Sequence, residues 1–260
     1  MRFFKGWLLA SALVVFFLIA APAQAGFVTA SLDTTNTLAP SAPVTINYGD
    51  GKTPSLNYTP GEVNWTLSSN TSNIVLPTHF VTFCIELGQD ISTGTPYQYS
   101  VVTVDKAPQP GSSQTGNGNG MGTYKAGEIA KLWGAYYSSI GNSGDMAAGM
   151  QLAMWKIEYD WSSSSQSTSF SSGNFQATDT SNNAITDATN MLKYVIAHDN
   201  TLQGAPNLWA LSSGNAQDQI VQALPVPSSA WLAGIGALCL LAYGYFRRAY
   251  RPLPSAGASV

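Results

Sequence analysis

Charge is what this sequence has least of. Only 10% of its 260 residues are Asp, Glu, Lys or Arg, against roughly 25% in an average soluble domain. That excludes a disordered polyelectrolyte, a coiled coil and an ordinary cytosolic housekeeping enzyme. Arginine is scarcer still, because Arg2, Arg247, Arg248 and Arg251 all lie near the ends and none falls in residues 26–224. That stretch holds six lysines against fourteen acidic residues, a net charge of −8. An acidic body without a guanidinium offers no phosphate-binding patch, and nucleic-acid recognition is excluded.

Histidine is nearly absent too. His79 and His198 are the only two and stand in separate segments, so a Cys–His dyad with an orienting third group is not announced. No His/Cys metal spacing, acidic calcium loop or Gly-rich phosphate loop is present, and no metal or other cofactor is expected. The sequence reads as a non-enzyme.

Apolar residues, by contrast, make up 45% of the chain and form long runs at both ends. Arg2 and Lys5 precede an apolar stretch over 7–20, and Ala23-Gln24-Ala25 fits a small-x-small cleavage site. Residues 1–25 therefore read as a secretory signal peptide, with Gly26 the first mature residue. A second run over 230–246 carries no charge and is closed by Arg247, Arg248 and Arg251. As a helix it spans about 26 Å at ~1.5 Å per residue, which predicts one transmembrane helix with a basic cytoplasmic tail over 247–260. The positive-inside rule then exports residues 26–224, agreeing with the signal peptide.

Between the ends the pattern predicts an α+β domain over 26–209, followed by a linker with a Pro-rich motif over 210–229. Apolar residues alternate at Val44, Ile46, Tyr48, at Val63, Trp65, Leu67 and at Val81, Phe83, Ile85, Leu87. With a further strand near Tyr97, these give an antiparallel β-rich N-terminal part. The Gly-, Ser- and Asn-rich stretch over 110–122 reads as an exposed loop. About three helices follow. Ile129, Leu132, Trp133, Tyr136 and Ile140 mark the first, Met146, Met150, Ala153, Met154 and Ile157 the second with Asp145 as N-cap, and Ile185, Ala188, Met191, Leu192 and Val195 the third; each set has a period near 3.6. The Ser-rich segment between the second and third reads as a loop.

Cys239 lies in the C-terminal run, so the exported part has only Cys84. A thiol with no partner in its own chain, in an oxidising compartment, points to intermolecular pairing, burial or a reactive site. Strand alternation puts Thr82, Cys84 and Glu86 on the face opposite Val81, Phe83, Ile85 and Leu87. Gln151 is the second unusual residue: it sits among apolar neighbours, with Trp155 one turn on and Glu158 beyond it. A buried amide needs partners, and hydrogen bonding to a neighbouring strand is one ordinary use of it.

The segments TFCIEL and QLAMWKIEYD together resemble the paired motifs of bacterial thioester domains of surface proteins. In that family a Cys thiolate attacks a Gln carboxamide, ammonia leaves, and the internal thioester is opened by external amines. The resemblance implies that Cys84 and Gln151 are the pair, supported by Phe83, Glu86 and Trp155. The tail ALPVPSSAWLAGIGALCLLAYGYFRRAYR is similar to the PEP-CTERM class of sorting signals, with Pro225, Val226 and Pro227 as the Pro-rich element and Arg247, Arg248 and Arg251 as the basic stop. This resemblance implies a membrane stage, exosortase processing, and a cell-envelope or cell-surface destination beside exopolysaccharide. Two functions remain open: covalent attachment to an amine-bearing partner, or a non-covalent polysaccharide-binding or structural surface protein in which Cys84 and Gln151 serve the fold. Trp65, Trp133, Trp155, Trp161 and Trp209 are the candidate sugar-stacking residues.

Overall fold

The computed structural model describes residues 26–33, 43–49, 56–108, 120–178, 183–225 and 229–249. The expected signal peptide, Val226, Pro227, Arg251 and most of the expected loop over 110–122 lie outside these residues.

Strands β2 (Val44–Tyr48), β4 (Val63–Asn70), β5 (His79–Cys84) and β6 (Pro96–Thr103) follow the alternation read from the sequence, and β1 (Phe27–Leu32) and β3 (Leu56–Tyr58), which were not expected, join them. Helix α1 (Gly122–Tyr136) ends in a short 3-10 turn over Tyr137–Ser139, and α2 spans Gly144–Asp160. Then come β7 (Phe175–Thr178), α3 (Ala184–Ala197), β8 (Leu208–Ser212), β9 (Gln219–Gln222) and α4 (Ser229–Ala249). Ser143 rather than Asp145 caps α2, its hydroxyl accepting from the Met146 N–H at 3.2 Å. That bond satisfies one of the unpaired amides of the first turn.

Six strands close into an antiparallel barrel in the order β1-β4-β5-β9-β8-β6, and β3-β2-β7 form a separate small sheet. The expected architecture, strands first and helices after, is corrected by this closure. Without β8 and β9 the edges of β5 and β6 stand open, and a closed sheet leaves no unpaired edge. The two strands come after α3, inside the segment expected to be a linker from 210, so the folded unit extends to the Val75–Leu224 bridge. The Ser-rich loop likewise contains β7, because Phe175 and Ala177 bury one face of it.

The transmembrane helix over 230–246 is also corrected. The segment is helical within α4, but among the described residues no helix is long and apolar enough to cross a membrane. The apolar run is shorter than the ~20 residues a span needs, and glycine and tyrosine dilute it.

Closure gives the barrel an inside and an outside. Val63, Thr82, Val221 and Trp209 stand opposite one another across four strands, as do Cys84, Gln219 and Leu211, and partners so paired share a face. This face looks inward, with Thr82, Cys84 and Gln219 buried on it. Phe83 points outward onto α1, edge-on to Trp133 at 5.6 Å and Tyr137 at 6.4 Å between ring centroids. Both faces of β5 are therefore covered, and the apolar alternation read from sequence marks the outer one.

Helix α2 is enclosed from Ala147 to Glu158 without a break, which explains its weak amphipathicity. It packs against α3, α1 and β7. Its approach to α3 depends on Gly149, where a Cβ would stand 2.8 Å from the Asp187 Cβ. Enclosure on all sides leaves its polar residues dependent on partners inside the protein; Gln151 and Lys156 have them, whereas neither carboxylate oxygen of Glu158 has a hydrogen-bond partner.

Candidate thiol–carboxamide site

The site forms where β4 ends. Pairing of β4 with β5 stops at Val63 opposite Thr82, whereas β9 continues to Gln219 opposite Cys84. The Ile85 N–H bonds the Asp218 carbonyl on the β9 side, so by strand alternation the N–H and C=O of Cys84 face the side β4 has vacated. Gln151 of α2 fills that place. Its Oε1 accepts from the Cys84 N–H at 2.8 Å, and its Nε2 donates to the Cys84 carbonyl at 2.5 Å. The backbone donor and acceptor fix the orientation of the amide, oxygen to N–H and nitrogen to C=O. Two residues 67 positions apart in the sequence are thus in direct contact.

The sulfur is held from the opposite direction. The Cys84 thiol donates to Gln217 Oε1 at 2.9 Å and lies 3.3 Å from Gln219 Nε2. Burial pushes the Cys84 thiol up to about 12, partly offset by the hydrogen bond from Gln219 and reinforced by the nearby Glu86 carboxylate. A thiol so placed stays protonated at neutral pH and does not behave as a freely reactive surface cysteine.

Cys84, Gln151 and Gln217 share a cavity of about 180 Å³ with Leu32, Tyr58, Val63, Ile91 and Trp155. Its walls are chiefly aliphatic and aromatic. Trp155 stands one turn beyond Gln151 and meets Tyr58 edge-on at 6.2 Å. Of the residues expected to support the pair, Trp155 lines this cavity. Phe83 does not, since it points to the outer face of the barrel. Glu86 acts from behind: its carbonyl accepts from Gln217 Nε2 at 2.6 Å and its Oε2 accepts from the Asp218 N–H at 3.4 Å.

Sequence reasoning missed Gln217, Gln219 and Asp218, all placed in the presumed linker. The available signal was the spacing in Gln217-Asp218-Gln219, which puts two amides on one face of a strand. Asp218 is buried, and that burial together with Glu86 raises its carboxyl to about 7 even though the Ser213 N–H bonds it. Glu158, seven residues beyond Gln151, is also buried, and desolvation holds its carboxyl well above the usual range.

The histidines stand elsewhere. His79 is exposed beside Asp33, and His198 stacks on Tyr194 with ring centroids 4.1 Å apart. Among the described residues no cluster of His, Cys, Asp and Glu has an arrangement that could hold a metal ion. Trp65, Trp133, Trp155 and Trp161 are buried in the core, so none presents a ring face for sugar stacking; Trp209 is half-buried. Of the other residues singled out from the sequence, Pro225 is exposed beyond the barrel, and Arg247 and Arg248 fall in the last turns of α4.

The Gln151 carboxamide meets the Cys84 backbone rather than its sulfur, and the reaction open to the two side chains is between Sγ and the Gln151 carbonyl carbon. Attack of Sγ on the Gln151 carbonyl carbon forms an S–C bond and breaks the C–N bond, and ammonia leaves carrying the thiol proton. The Cys84 N–H already donates to the oxygen that gains negative charge, the arrangement of an oxyanion hole. No protein-family model, curated protein or solved structure matches the chain.

Proposed function

We propose that this chain is an exported cell-surface or matrix protein that forms an internal Cys84–Gln151 thioester and uses it to attach covalently to an amine-bearing partner. The observation that carries this reading is the contact of the Gln151 carboxamide with Cys84 beside a small, mostly apolar cavity. Opening runs in reverse: the amine nitrogen bonds the Gln151 carbonyl carbon, the C–S bond breaks, and Sγ takes the proton that the amine sheds. Hydrophobic walls slow competing hydrolysis by keeping water away from the acyl carbon. Export rests on the signal-like residues 1–25, and a sorting step by an exosortase rests on the Pro-rich tail around Pro225.

A second reading has its own observation. The paired bonds from Gln151 to the backbone of Cys84 complete the ladder of β5 where β4 ends, a structural task for Gln151 that needs no chemistry at the sulfur. The intact mass of the purified chain, before and after incubation with methylamine, separates the two. Covalent chemistry predicts a mass one ammonia below the sequence value, a gain of one methylamine on treatment, and neither in Cys84→Ala. The structural reading predicts the sequence mass and a Cys84 that alkylates once the chain is unfolded.

A further inference from the structure

The sulfur of Cys84 lies between two carboxamides whose orientations are both dictated by their other partners. Trp65 Nε1 can only donate, and it donates to Thr82 Oγ1 at 2.8 Å. The Thr82 hydroxyl is thereby free to donate onward to Gln219 Oε1 at 2.7 Å. With its oxygen committed to Thr82 and the longer 3.5 Å from the sulfur, Gln219 presents Nε2 to the sulfur at 3.3 Å and to the Gln217 carbonyl at 3.1 Å. Gln217 is fixed in the opposite sense, because its Nε2 must face the Glu86 carbonyl, an acceptor only. Its Oε1 is left for the thiol. All these side chains are buried, so water does not substitute for them.

We infer that Gln219 is a catalytic residue of the thioester chemistry and Gln217 a positioning residue: Gln219 Nε2 donates to the Cys84 sulfur as it becomes negative, and Gln217 Oε1 aims the thiol. The inference rests on the thioester reading above. The sulfur carries negative charge twice, when the thiol gives up its proton to attack Gln151 and when it leaves as an amine opens the acyl bond. At both moments a donor held by Thr82 and Trp65 costs no reorganisation. Gln217 serves the protonated state and Gln219 the charged one.

Gln219→Glu tests this with little change of shape, since a carboxylate still accepts from Thr82 but turns an oxygen toward the sulfur. The full chain is refolded from denaturant and followed by intact mass. Thioester formation and methylamine opening should each slow at least about tenfold relative to wild type, as expected for loss of a hydrogen bond to a charged group. Thr82→Val leaves Gln219 in place while freeing its amide to flip, and should produce a smaller loss of the same kind. In a Gln151→Ala background, where Cys84 has no acyl partner, adding Gln219→Glu should slow iodoacetamide alkylation of the folded chain at fixed pH by about tenfold. A wild-type mass equal to the sequence value overturns the thioester reading and this inference with it. A wild-type thioester, with Gln219→Glu at wild-type rates and an unchanged alkylation rate, overturns this inference alone.

Discussion

Lys156 shows what enclosure does to a single residue. Its ammonium is fully buried and bonds Asp160 Oδ2 at 2.5 Å, the Ser172 carbonyl at 2.8 Å and the Phe175 carbonyl at 2.9 Å. Asp160 in turn accepts from the N–H groups of Asn174 and Phe175, so the pair fastens the Ser-rich segment to α2. Lys156→Met removes the cation and leaves the carboxylate and two carbonyls without it, a change that costs about 3 kcal/mol. The expected outcome is a lower denaturation midpoint in urea and faster proteolysis within 161–174. Cys84→Ser, by contrast, keeps a donor for Gln217 Oε1 and should fold with little loss.

At the scale of elements, the α2–α3 contact leaves no room for a side chain at Gly149. A Val at position 149 would drive branched carbons into the Asp187 Cβ and the Ala188 backbone nitrogen, 2.8 and 3.1 Å from an ideal Cβ. Overpacking of this kind costs about 1–3 kcal/mol, and thermal unfolding of Gly149→Val should show a correspondingly lower midpoint. Elements with a regular period were legible in the sequence. The alternation at β2, β4 and β5 and the 3.6-residue stripes of α1 and α3 identified them, as did Cys84 and Gln151, the one isolated thiol and the one amide set among apolar residues. β7, β8 and β9 were not legible, since LWALS and QIVQ do not alternate apolar with polar residues and FQAT is too short to register amid Ser, Asn and Gly. Their burial comes from long-range pairing that only closure of the barrel supplies. Gln217 and Gln219 were hidden with them, so Cys84 and its carboxamide partner were readable and the two amides around the sulfur were not.

For the whole molecule, the buried acids tie stability to pH. Asp218 has its folded-state carboxyl raised to about 7, above the ~3.9 of an unfolded aspartate. Between those values the folded state holds more protons than the unfolded one, so stability falls as pH rises from about 4 to about 7 and then levels. Glu158, raised in the same direction, adds to that fall. Melting temperatures taken from pH 4.5 to 8 should decline for the wild type, and Asp218→Asn should flatten the decline by removing one contributor. The proposed acyl chemistry relies on the same interior, in which Cys84 and Gln151 are both buried. Its most direct test is the tandem mass spectrum of the methylamine-treated chain. The account predicts a methylamide on Gln151 alone, with Cys84 recovered as a thiol. A label on Gln217, or an unlabelled chain at its full sequence mass, contradicts it.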